Sequence, residues 1–193
     1  MERLSLIVEG EEDVRFLQDF IHFHFQKKAT RSLFIEIGGK SETIHLSQVK
    51  IQTSTSSGRI NVVVFDADDN DHKSTLTKVY AKEKELSLKF DKVFLFPDDK
   101  SPGNLESLLK SSVTSGNEKL FACIEAYATC KTALKLKNPR PIDDKEKLWI
   151  YHGSFEDSGH AHGTKRSYFD QDIWNLNSPI LIPLKDFLRE FFT

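Results

Sequence analysis

The chain predicts an α/β fold: a mostly parallel sheet flanked by helices, followed by a helical C-terminal appendage. Three observations carry this. Short apolar runs of strand length recur at Leu4–Val8, Leu33–Ile37, Ile60–Phe65 and Val93–Phe96. Helix-length segments separate them, and strands alternating with helices favour a parallel, three-layer arrangement. Beyond about residue 104 helical patterns continue with no strong alternating strand. The chain therefore reads as a single domain, with a core over residues 1–112 and a mainly helical appendage over 113–193 packed on it.

Residues 3–8 predict a buried strand. Residues 11–27 predict a helix, with Val14, Leu17, Phe20, Ile21 and Phe25 at roughly helical spacing. Acidic residues open that helix and Lys27-Lys28 close it, which suits the macrodipole at both ends. After the short strand ending at Ile37, Gly38-Gly39-Lys40 makes a turn. Residues 41–53 predict a helix with Ile44, Leu46, Val49 and Ile51 among its apolar positions. Residues 60–65 form the third strand, residues 72–87 a polar surface helix, and Val93–Phe96 the fourth strand, stopped by Pro97. Residues 104–111 and 117–135 look helical. Lys131–Pro141 is a basic connection broken by proline, and residues 153–167 are a Gly-, Ser- and His-rich loop. In the last segment, Pro183–Phe192, the residues Leu184, Phe187, Leu188 and Phe191 fall at i, i+3, i+4 and i+7, the pattern of a helix that docks on a core.

The bulk numbers bound the function. With 193 residues, 38% hydrophobic and 29% charged, the chain has globular composition and one-domain length. A formal charge of −2 argues against holding nucleic acid by overall charge, and leaves room for a local basic patch. No apolar run approaches the ~18 residues of a membrane span. Met1-Glu2-Arg3 leads straight into a strand without the pattern of a signal peptide, so the cytoplasm is the expected compartment. The two cysteines, Cys123 and Cys130, are seven residues apart, too far along a helix for an easy disulfide; buried free thiols are expected.

The chemistry concentrates in two acidic clusters. Leu4–Val8 is followed by Glu9-Gly10-Glu11-Glu12-Asp13, and Ile60–Phe65 by Asp66-Ala67-Asp68-Asp69-Asn70-Asp71. A buried strand ending in carboxylates delivers them to the sheet rim, where open α/β folds place ligands. Gathered carboxylates repel one another unless a cation sits between them, and oxygen-only sets suit a hard divalent ion, Mg2+ or Mn2+. Asp66 and Asp68 share a side if the backbone stays extended, and Glu9 supplies a third oxygen from a neighbouring strand. Glu11 and Glu12 read more simply as first-turn helix acids, and Asp69, Asn70 and Asp71 as caps for the next helix. An EF-hand is excluded: Asp71 stands where its turn glycine belongs and Thr77 where its bidentate glutamate belongs.

A Glu-Gly pair after the first strand and a later strand ending in Asp-x-Asp resemble the Toprim signature, here Glu9-Gly10 and Asp66-Ala67-Asp68. Toprim domains occur in type IA and II topoisomerases, primases, OLD-type nucleases and small ribosomal RNA-processing nucleases. The resemblance covers roughly residues 3–100. It implies a Rossmann-like core and a phosphodiester-handling site in which Asp66 and Asp68 hold the metal and Glu9 shares it or moves a proton. Asp13 resembles the extra acid that OLD-type nucleases carry four positions after the glutamate. The segment Phe96-Pro97-Asp98-Asp99 to Gly103-Asn104-Leu105-Glu106 resembles a small branch of Toprim-related proteins close to the OLD type. Asp98 and Glu106 join Asp13 as candidates for a second metal, against the simpler readings of a turn residue and a first-turn helix acid. The chain lacks the nucleotide-binding loop of full OLD nucleases and any context marking a tyrosine nucleophile.

Phosphate chemistry needs positive charge. Lys40, after two glycines at a strand end, is the candidate to offset charge in the transition state. Lys131 within the run Lys131, Lys135, Lys137, Arg140, Lys145 and Lys147 offers a basic face for DNA or RNA, and Lys165 and Arg166, near Tyr168 and Phe169, another. Charge runs of this kind are also ordinary solvated surface. His160 and His162 lack a third nitrogen or sulfur ligand at useful spacing. The sequence thus points to Mg2+-dependent cleavage or transfer at a phosphodiester or phosphoanhydride bond, with a nuclease-like hydrolase the favoured form. Two alternatives stand beside it: a non-catalytic nucleic-acid, nucleotide or protein-partner module in defence or repair, and a phosphatase resembling the haloacid dehalogenases. No membrane partner is expected.

Overall fold

The computed structural model describes residues 3–38, 41–68, 71–134, 136–138, 140–155 and 167–193, and for residues 41–46 the backbone alone. Four strands, β1 (Leu4–Val8), β2 (Phe34–Glu36), β3 (Ile60–Asp66) and β4 (Lys92–Phe96), pair in parallel in the order β2-β1-β3-β4. The linking helices are α1 (Glu11–Phe25), α2 (Ser41–Ser56) and α3 (His72–Glu85), with a single 3-10 turn, Arg31–Leu33, ahead of β2. Beyond the sheet come α4 (Leu105–Lys110), α5 (Lys119–Ala133), α6 (Asp144–Gly153) and α7 (Ile182–Phe192). The architecture is the α/β fold with a parallel sheet that the sequence predicts. Helix α6 lies in a stretch to which the sequence assigned no element.

Side chains alternate across the strands, so each strand feeds two cores. Leu6, Val8, Val62, Val64, Phe94 and Phe96 pack with α1 and with α4–α7 in the larger cluster. Ile7, Ile35 and Val63 pack with Ile51 of α2 and Val79 of α3 in the smaller one. Helix α1 therefore covers one face, and α2 and α3 the other. The chain leaves β1 over one face and β3 over the opposite face, so their two exits diverge. A crevice at such a divergence is where open parallel sheets bind ligands.

The appendage closes the larger core. Leu184, Leu188 and Phe192 of α7 are buried, Phe187 packs on Phe94 with ring centroids 5.2 Å apart, and Phe192 stacks on Phe25 at 5.7 Å. Each such side chain contributes about 1.5–3 kcal/mol by leaving water. On α5, Phe121 and Ile124 face inward. Cys123 and Cys130 lie on the outward side and are free and exposed, which corrects the expectation of buried thiols. At the N-terminal end of the sheet a buried chain of hydrogen bonds ties β1, α2 and β3 together: Ser5 Oγ and Ser54 Oγ lie 2.8 Å apart, and Ser54 Oγ donates to Asn61 Oδ1 at 2.6 Å.

Candidate functional site

The ends of β1 and β3 are neighbours, with Val8 level with Val64. Glu9 follows the first strand and Asp66 closes the third. Glu9 Oε1 accepts the backbone N–H of Asp66 at 3.2 Å, so the two acids meet at the diverging exits. Asp66 continues the alternation of Val62 and Val64 and so lies on the α1 side. Its Oδ1 accepts the N–H of Leu105, first residue of α4, at 2.9 Å. Asp13, in the first turn of α1, is buried, and its Oδ2 accepts the N–H of Gly10 at 2.8 Å.

Two more acids complete the group. Glu106 is half-buried beside Leu105 and close enough to raise the carboxyls of Glu9, Asp13 and Asp66. Asp68 is exposed, adopts the left-handed region at φ 54°, and raises the carboxyl of Glu9. The extended backbone assumed for Asp66 through Asp68 therefore ends at Asp66. Asp68 is held instead by its carbonyl, which accepts Gly103 N–H at 2.8 Å. Gly103 has φ 142°, and a Cβ there would stand 2.8 Å from Ser107 Oγ and 3.0 Å from Pro97 Cδ. That close approach fixes α4 against the end of β3.

Burial is the largest influence on these acids, and their mutual repulsion adds to it. It raises Glu9, pushes Asp13 up to about 7 and pushes Asp66 up to about 8. Backbone hydrogen bonds pull each of them partly back, and among the described residues no lysine or arginine is among the influences. Two arginines of the surrounding elements are engaged with other acids. Arg15 pairs with Glu11 and Glu12 at 3.3 Å, and Arg31 pairs with Glu11 at 2.8 Å and with Glu36. Glu12 also accepts the hydroxyl of Tyr168. Glu11 and Glu12 thus act as the helix-opening acids of α1, each with its own partner.

The donor set is entirely oxygen, the chemistry a hard divalent cation prefers. Glu9, Asp13 and Asp66 each turn one carboxylate oxygen to a backbone amide, and their second oxygens carry no hydrogen bond among the described residues. In chemistry the set fits Mg2+ or Mn2+. In arrangement it is open: among the described residues no group of three or more His, Cys, Asp or Glu stands in position around a common ion. Side-chain rotation would have to draw these carboxylates together.

Asp98 stays outside the group. Burial would raise its carboxyl, but bonds from Ser101 N at 2.7 Å, Ser101 Oγ at 2.9 Å and Lys100 N at 3.1 Å hold it below its ordinary range. It closes its own turn. Lys131 donates to the carbonyl of Arg140 at 2.7 Å and lines a separate groove with Arg140. Lys147 of the same basic run is paired with Glu125 and Asp144. Lys40, Lys165 and Arg166 lie outside the described residues, as do His160 and His162.

The carboxylates open into a cleft of about 420 Å3. Arg15 of α1 and Lys145 and Trp149 of α6 line it, and sequence reasoning gave none of them a place there. Trp149 is 49% exposed, whereas the second tryptophan, Trp174, is 1% exposed. The i, i+4 spacing of Lys145 and Trp149 was readable as one helical face, but only once α6 was known.

A family model described as protein of unknown function (DUF3226) matches residues 4–193. The chain belongs to the DUF3226 family. No curated protein and no solved structure matches it. The family model spans both the sheet and helices α4–α7, so the DUF3226 unit includes the α6 wall as well as the carboxylates. Among the described residues of this DUF3226 chain, no helix is long and apolar enough to cross a membrane.

Proposed function

We propose that the chain is a Mg2+- or Mn2+-dependent enzyme acting on phosphodiester or phosphoanhydride bonds, a nuclease-like protein with a Toprim-type carboxylate site. One observation carries the reading. Glu9 and Asp66 meet at the diverging exits of β1 and β3 with Asp13, Asp68 and Glu106 around them, and among the described residues no lysine or arginine forms an ion pair with Glu9, Asp13 or Asp66. Asp66 and Asp68 would hold the ion and Glu9 would share it, with Asp13 and Glu106 the candidates for a second ion. When bound, a divalent cation supplies Lewis-acid polarisation of a phosphoryl group.

The side chains do the rest. Glu9 keeps an exposed face at the rim while burial raises its carboxyl above the ordinary range, which suits it to take or return a proton. Arg15 and Lys145 bring positive charge to the cleft mouth. Trp149 offers a flat surface on which a nucleobase of DNA or RNA can stack.

The test is calorimetric titration with Mn2+ beside incubation with labelled DNA, RNA and nucleotides. Wild type should bind Mn2+ and turn over one of these substrates. Asp66→Asn and Asp68→Asn should lose at least tenfold in Mn2+ affinity and, if the ion carries the chemistry, about a hundredfold or more in turnover. Equal Mn2+ affinity in both variants would remove the metal site. Metal binding with no turnover on any substrate would leave a binding module in place of an enzyme.

A further inference from the structure

A second groove, of about 690 Å3, runs beside β2 and is walled by α2. It shares Glu9 and Gly10 with the carboxylate cleft, so the two hollows meet at the turn between β1 and α1. Its far end is marked by Arg59, which precedes β3 where Ile60 pairs with Leu4. Glu9 and Arg59 thus stand at opposite ends of β1, whose five residues span about 16 Å. Along the wall Lys50 and Thr53 share one face of α2 at i and i+3, and Ser57 follows just past the helix end.

The cations of this groove differ in their engagement. Arg31 is held by Glu11 and Glu36. Lys50 and Arg59 form no ion pair among the described residues, and Arg59 Nε is buried without a hydrogen-bond partner. Thr53 lies between them, while Ser57 Oγ donates to the carbonyls of Thr53 and Ser54, and Ser54 Oγ donates to Asn61. A groove with two cations unpaired among the described residues and an unmet N–H suits an occupant rich in anionic oxygen. An acidic peptide adding to the edge of β2 is the rival. It is disfavoured because β2 has only three residues and the carbonyl of Glu36 already accepts Ser47 Oγ at 2.5 Å.

We propose that this groove holds a single-stranded phosphodiester chain, DNA or RNA, that continues from the carboxylate cleft past Glu9 toward Lys50 and Arg59. The inference rests on the reading of Glu9 and Asp66 as the reacting centre, and it makes the substrate a polymer in place of a free nucleotide. A strand lying across the junction presents one phosphate to the carboxylates and later ones to the two cations.

The experiment measures binding in chelator, without divalent ions, so that it is independent of metal. The probe is a fluorescein-labelled oligothymidylate or oligouridylate of about a dozen nucleotides, followed by anisotropy across a salt series. Wild type should bind it more tightly than a labelled mononucleotide or an oligoglutamate peptide. Lys50→Gln with Arg59→Gln should weaken binding about tenfold and reduce the salt slope by about one to two. Because Arg59 is partly buried, the exposed single variant Lys50→Gln serves as a second reading, with an expected slope change of about one and an unchanged melting temperature. Unchanged affinity and slope in both variants would overturn the proposal, as would preference for the peptide. Loss of Mn2+ binding at the carboxylates is a separate outcome: it removes the reacting centre and leaves the oligonucleotide measurement intact.

Discussion

At the scale of single residues, the acids at the crevice have a consequence for stability. Asp66 keeps its proton up to about 8 in the folded chain, whereas the unfolded chain releases it near its ordinary 3.8. Between those values the unfolded state binds fewer protons than the folded one, so stability without metal falls as pH rises from about 4 to about 8 and then levels. Asp66→Asn removes this penalty while its amide oxygen can still accept the Leu105 N–H. Thermal melts in chelator should show the variant more stable than wild type above about pH 8, by about 2–4 °C per kcal/mol gained, and no different below about pH 4. A variant that melts lower at the alkaline end would refute the account. Glu9, Asp13 and Asp66 were legible in the sequence because each follows an apolar strand or opens the helix after one. Asp98 was not separable from them, because a turn-closing aspartate and a ligand look alike until Ser101 and Lys100 are seen to surround it.

At the scale of elements, α4 shows how little chain is needed to place a group. Asn104 and Ser107 cap it reciprocally, at 2.9 Å and 3.0 Å, and Gly103 lets it approach β3. Gly103→Ala meets both a backbone conformation that L residues rarely adopt and two close neighbours. A cost of about 1–3 kcal/mol is expected, with Mn2+ affinity falling because Leu105 and Glu106 shift away from Asp66. Urea denaturation and Mn2+ titration check the two effects, and a variant normal in both would show that the glycine is not required. The main helices of the sheet region were readable from spacing. Helix α6 was not, because its buried side includes His152 while Trp149 is exposed, which inverts the apolar pattern that periodicity relies on. The misplaced cysteines have a similar cause: α5 is apolar in composition yet buries Phe121 and Ile124 in the core, with Leu120 partly buried against it.

At the scale of the whole molecule, two cores on opposite sides of one sheet create the crevice, and the C-terminal helices complete one of those cores. Leu188 of α7 is fully buried in it. Leu188→Ala should lower unfolding stability by about 2–5 kcal/mol, while Mn2+ affinity measured well below the melting temperature stays within about twofold of wild type. A large loss of affinity in the folded variant would mean that α7 shapes the carboxylates directly. Alternating patterns revealed the parallel sheet, but the strand order β2-β1-β3-β4 depends on pairings between distant segments that no local pattern records. Even so, the acids found their place, since any parallel sheet carries its strand exits to one edge. The contrast between the two tryptophans, finally, equips the unmodified chain with its own optical reporter. Trp174 should emit as in a nonpolar solvent and resist acrylamide, while Trp149 should emit further to the red and be quenched, so that dimming confined to the red component would register a guest arriving in the acidic hollow with no dye attached.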